Sequence, residues 1–78
     1  MRLTLYTRPD CHLCNDMKDT VLRVLRQHVF ELIEVDISRN HMLERQYGRD
    51  IPVLFIDGTE AARHRIDEME LRRKLTGG

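Results

Sequence analysis

Ile51-Pro52-Val53-Leu54-Phe55-Ile56-Asp57-Gly58 constrains the fold more than any other stretch of the chain. A strand with one wet face alternates apolar and polar residues, so an unbroken apolar run predicts a strand buried on both faces. A sheet covered on both faces needs helices on each side of it. Asp57-Gly58 is a two-residue hairpin signal, which makes the following strand antiparallel. That strand, near Thr59 to Arg63, is poor in large apolar residues and is expected at an edge. Pro52 has no N–H to give a ladder, so it opens the central strand and does not interrupt it. By pattern alone the Ile51–Pro52 bond fits either isomer.

The remaining elements follow from periodicity and breakers. Leu3-Thr4-Leu5-Tyr6-Thr7 alternates as a strand, and Arg8-Pro9-Asp10 ends it. From His12 to about His28 the period is helical, with Cys14, Met17, Val21, Val24 and His28 on one face and Leu25 beside them. Phe30 to Val35 reads as a second strand. Ser38 or Asn40 can cap a short helix carrying Leu43 and Tyr47 on one face, with Gly48 as its stop. Asp67-Glu68-Met69-Glu70 has the form of a capping box before a last helix, whose expected buried residues are Met69, Leu71 and Leu75. The order is βαβ, α, a ββ hairpin, then α. Right-handed crossover makes the first two strands parallel. The prediction is a single α/β domain over residues 1–78, a four-stranded mixed sheet of thioredoxin type with helices on both faces.

Charge narrows the partners. Thirteen basic residues balance thirteen acidic ones, so no global field favours nucleic acid or an anionic membrane, and neither is expected as a partner. Arg63-His64-Arg65 and Arg72-Arg73-Lys74 read as solvated faces. No apolar stretch approaches a bilayer span, and the first residues lack the apolar core of a signal peptide. The expected location is the cytoplasm, and the expected state is a monomer, although so thin a core also permits a dimer.

The only two cysteines, Cys11 and Cys14, form a Cys-His-Leu-Cys motif. Closing so short a loop removes only about 2 kcal/mol of denatured-state entropy, too little for a useful staple. In a reducing compartment such a pair is catalytic, sensing or metal-binding. The strand and loop before Cys11 and the helix after it place this residue at a helix N-terminus, where a thiolate is stabilised. Cys11 is then the nucleophile and Cys14, one turn on, the resolving thiol. Arg8 adds positive charge nearby; Asp10 opposes it or caps the helix. The other readings of the pair are half of a zinc site and two inert cysteines. Zinc wants about four ligands, and His12, His28, His41 and His64 show no metal-ligand spacing, so no metal ligands are assigned. His12 either tunes the sulfurs or is an exposed first-turn residue.

The residues from Tyr6 to Cys14, Asp36, Tyr47-Gly48 and Ile51 to Gly58 together resemble a glutaredoxin, and most of all the small bacterial glutaredoxin-like proteins with leucine before the second cysteine. The resemblance implies a thioredoxin fold, a cis Pro52 facing the redox pair, and thiol–disulfide exchange. It also implies that the backbone of Ile51 pairs with an extended substrate. By the same resemblance Arg8, His12, Ile51, Pro52, Asp67 and Glu68 are candidate substrate-binding residues. Arg8 stands for the lysine that holds a glutathione carboxylate, Asp50 for a threonine, and His64-Arg65 for a glycine pair. Two functions follow. The first is a dithiol oxidoreductase acting on protein or glutathione mixed disulfides, with glutathione as a candidate co-substrate and no permanently bound cofactor. The second is a non-catalytic thioredoxin-fold binding module that docks partners or holds zinc or an iron–sulfur centre.

Overall fold

The computed structural model describes residues 1–76. Its elements are β1 (Arg2–Thr7), α1 (His12–Val24), β2 (Glu31–Asp36), α2 (His41–Tyr47), β3 (Val53–Ile56), β4 (Thr59–Arg63) and α3 (Glu68–Leu75), with a 3₁₀ turn at Ile37–Arg39. The sheet order is β2-β1-β3-β4. β1 and β2 run parallel, while β1–β3 and β3–β4 are antiparallel. The expected element order, mixed sheet and edge strand are all present. The core is split between the two faces of the sheet because the side-chain period of a strand is two. Leu3, Leu5 and Leu54 pack with Met17, Val21, Val24 and Leu25 of α1 and its cap, and with Ile66 and Leu71. On the other face Val53 joins Ile37 and Tyr47, with Tyr6, Leu43, Ile51 and Phe55 against them. Leu54 and Val53 are both fully buried, on opposite faces, which is why the run needed no polar alternation.

Local chemistry sets the ends. Asn40, not Ser38, caps α2: its Oδ1 accepts from Met42 N at 3.0 Å and Leu43 N at 3.1 Å. Ser38 lies instead in the 3₁₀ turn, which Asp36 caps by accepting from Ser38 N at 2.9 Å. Asp67 caps α3, accepting from Glu70 N at 2.7 Å. Gly48 ends α2 in a right-handed conformation (φ −54°), so its glycine is not required by a left-handed cap. Space requires it: a Cβ there would lie 2.4 Å from the Glu44 carbonyl oxygen.

One expected core residue is on the surface, and α1 is shorter than its period predicted, with His28 exposed as expected of the outlying histidines. His28 is exposed because α1 ends at Val24 with Leu25 as its C-cap, so the helical period stops before reaching it. Met69 is 74 % exposed. It sits two positions from Leu71, a spacing that puts the two residues on different sides of a helix, and Leu71 takes the core side.

Candidate active site

Strand register brings three loops to one end of the sheet. Tyr6 pairs with Val53 and Val53 with Arg63, so the loop after β1, the loop before β3 and the turn after β4 are neighbours. They carry Arg8 to Cys11, Asp50 to Pro52, and His64 to Ile66 respectively. The redox pair and the proline, far apart in sequence, are therefore placed at the same edge.

Cys11 is the N-cap of α1. Its Sγ accepts from Cys14 N at 3.2 Å, and its carbonyl accepts from Asn15 N at 3.1 Å. The first turn of α1 contains no acidic residue, so no carboxylate competes for the free N–H groups there. Cys11 and Cys14 are joined as a disulfide with their Cα atoms 5.2 Å apart. Cys14 is only 2 % exposed, whereas Cys11 is partly open to solvent. Asp10 does not cap: it adopts a left-handed conformation (φ 61°), which an aspartate tolerates, and leaves the cap position to Cys11.

The other candidate residues do not all gather at the cysteines. The Ile51–Pro52 bond is cis, as the resemblance implied, and Pro52 is buried. The Pro52 carbonyl accepts from His64 N at 2.9 Å. Ile51 N donates to the Tyr47 carbonyl at 3.1 Å, so of its two backbone groups only the carbonyl lacks a hydrogen bond among the described residues. Arg8 forms an ion pair with Glu44 and donates to the Gly48 carbonyl at 3.3 Å. Its guanidinium thus ties the loop before Cys11 to the end of α2. The His12 side chain is 89 % exposed, with Nε2 3.6 Å from Asp16 Oδ2. Asp67 is held by its capping bond. Glu68 pairs with Arg23 in the last turn of α1, the end opposite Cys11. That bond to Arg23 depresses the Glu68 pKa, with the Arg72 and Arg26 charges adding to it.

His64, at one position of the glycine pair, takes a left-handed conformation itself (φ 70°). It lines a groove of about 250 Å³ together with Leu13, Asp16, Met17, Thr20, Arg65 and Ile66. Among the described residues no three His, Cys, Asp or Glu side chains gather as a metal site would need.

Sequence reasoning missed Arg63. Its Nη1 donates to Asp50 Oδ2 at 2.5 Å, and its Nε and Nη2 donate to the two Glu60 carboxylate oxygens at 2.6 and 2.9 Å. Its Cζ lies 5.9 Å from the centre of the Tyr47 ring. The Glu60 bond raises the Arg63 pKa first of all, and the same bond lowers that of Glu60. Burial pushes the Tyr47 phenol up. Nothing local marked Arg63, because Asp50 reaches it only through the β3–β4 pairing.

A reachable sulfur at a helix N-cap, a buried one a turn behind it, and a cis proline at the same sheet end define a thioredoxin-fold protein with a dithiol centre. More particularly, the chain belongs to the glutaredoxin-like domain family (DUF836), whose model matches residues 2–76. It is 29% identical over 77 residues to the glutaredoxin-like protein YDR286C homolog of Dictyostelium discoideum, covering 91% of this chain and 71% of that protein. Among solved structures, it is similar to protein XcR50 from X. campestris, with 38% identity, a TM-score of 0.77 and 97% of each chain covered. Protein Ne2328 from Nitrosomonas europaea is 29% identical with a TM-score of 0.78, over 94% of this chain and 88% of that one. A mutant thioredoxin from Halobacterium salinarum NRC-1 is 25% identical with a TM-score of 0.65, over 97% of this chain and 72% of its own.

Proposed function

We propose that the protein is a thiol–disulfide oxidoreductase acting on protein or glutathione mixed disulfides. The observation that carries this reading is the asymmetry of the pair: Cys11 is partly exposed at the N-cap of α1, and Cys14 is buried one turn behind it. In the reduced protein the Cys11 thiolate, favoured by the helix N-terminus, attacks one sulfur of the substrate disulfide and expels the other as a thiolate. Cys14, as its thiolate, then attacks Cys11 Sγ and releases the second substrate thiolate. Two electrons pass to the substrate, and the Cys11–Cys14 disulfide remains. A reducing thiol, glutathione among the candidates, returns the pair to the dithiol state. Such recycling suits the cytoplasm, where thiols are kept reduced.

Protein disulfides are the better supported substrates. Arg8, the cation placed to hold a glutathione carboxylate, is already paired with Glu44. His64 and Arg65 bring side chains to the turn where the family's glycines leave backbone open.

Thiol exchange and trapping test the reading. Cys11→Ser abolishes exchange, and Cys14→Ser accumulates a mixed disulfide on Cys11 that mass spectrometry detects. Equilibration in glutathione buffers returns a reversible disulfide between about −270 and −180 mV, the span from thioredoxin to protein disulfide isomerase. Partner binding that survives both substitutions, or metal in the purified protein's mass, would establish the binding module instead.

A further inference from the structure

The loop that presents Ile51 and Pro52 is held from two sides by unequal means. On the α2 side, Asp50 N and Ile51 N donate to the Tyr47 carbonyl at 2.8 and 3.1 Å. On the β4 side the backbone offers one bond, His64 N to the Pro52 carbonyl, and Pro52 has no N–H to add another. The remaining tie is Arg63. Glu60, three residues earlier on β4, grips two of its nitrogens in a fork, and a planar guanidinium so gripped has its third face aimed before it meets anything else. That face takes Asp50 at 2.5 Å, while the cation sits 5.9 Å from the Tyr47 ring centre. One side chain therefore joins β4, the end of α2 and the loop between them. His64 Nε2 lies 3.8 Å from the other Asp50 oxygen, Oδ1, so the carboxylate is bracketed by both residues.

Resting on the oxidoreductase reading, we propose that Arg63 is the positioning residue of the substrate dock. It fixes Asp50, and through Asp50 the carbonyl of Ile51, which accepts no hydrogen bond among the described residues and so is open to an incoming strand. Arg63 touches neither sulfur, so it governs docking of an extended polypeptide disulfide and leaves the intrinsic reactivity of Cys11 alone. A lysine at the same place keeps the charge but not the fork.

Two rates separate this role from a general structural one. The reduced protein is reacted with a short, uncharged peptide carrying a mixed disulfide, and separately with iodoacetamide, which alkylates Cys11 without docking. Arg63→Gln slows exchange with the peptide roughly tenfold, less than the hundredfold that a 1 Å misplacement can cause, and leaves alkylation unchanged. Arg63→Lys falls between. Asp50→Asn repeats the Arg63→Gln pattern through the other partner, which secures the test should Arg63→Gln fail to fold. Peptide exchange at the wild-type rate in the folded variants overturns the proposal. So does an equal loss of both rates, which would make Arg63 merely structural. If the wild-type protein alkylates but does not exchange, the oxidoreductase reading falls and this proposal with it.

Discussion

Gly48→Ala lowers stability although every propensity argument says it should raise it. Gly48 has φ −54°, open to any residue, and replacing glycine at such a position ordinarily stabilises by about 0.4–1 kcal/mol through the unfolded chain. Here the added Cβ would lie 2.4 Å from the Glu44 carbonyl oxygen, 2.8 Å from Glu44 Oε1 and 3.3 Å from Arg8 Nη2. The two side-chain atoms can swing aside. The carbonyl cannot move without disturbing the last turn of α2, because it accepts from Gly48 N at 2.8 Å. Overpacking costs about 1–3 kcal/mol, and a clash with a backbone atom belongs in the upper half of that range, so after the propensity gain is subtracted the net loss is roughly 1–2 kcal/mol. With a urea m-value of about 1 kcal/mol per molar for so small a domain, the midpoint falls by roughly 1–2 M at unchanged slope. Urea titration of the oxidised wild type and variant, followed by circular dichroism, measures it. A midpoint equal to or above that of wild type would refute the steric argument and leave propensity in command.

Two further outcomes follow from packing and charge. Leu54→Ala empties a fully buried site in the central strand and costs about 2–5 kcal/mol, a large share of the about 4–12 kcal/mol expected for a domain of this length, so the melting temperature should fall by at least about 8 °C, and an unchanged one would refute the burial argument. Glu60 and Glu68 both titrate below 4.5, held down by hydrogen bonds from Arg63 and Arg23 respectively. A depressed folded pKa gives stability that is fully present above 4.5 and lost as pH falls through the folded value. Melting temperature should therefore drop on the acid side of 4.5, and the Glu60→Gln, Glu68→Gln double variant should show a shallower acid limb; identical limbs would discount both pairs.

The fold was legible because its strongest signals are local. The apolar run of β3, the Asp57-Gly58 turn and the Asp67 cap each act within a few residues, and the structure places all three as expected. Helix ends, and the choice of buried residue within a helix, were less legible. His28 continues the period of α1, but the helix ends at Val24, and termini depend on caps and packing that periodicity does not encode. Met69 and Leu71 cannot share a helix face, and which of the two is buried was decided by how α3 lies on the core formed with α1.

The chain by itself determined the chemistry on offer: two thiols one helical turn apart at a helix start, a proline at the mouth of a buried strand, and a balance of charge that favours no polyanion. Tertiary structure decided what surrounds them. Arg8 looked free to meet a substrate carboxylate, and Glu44, 36 residues away in sequence, takes it. Arg63 looked like one cation of a solvated run, and the register of β4 against β3 delivers it to Asp50, 13 residues earlier. A short-range signal needs only the geometry of one helix or turn to be read. The partner of a long flexible cation is chosen by which strands pair and which loops thereby meet, and that is settled only when the sheet is assembled.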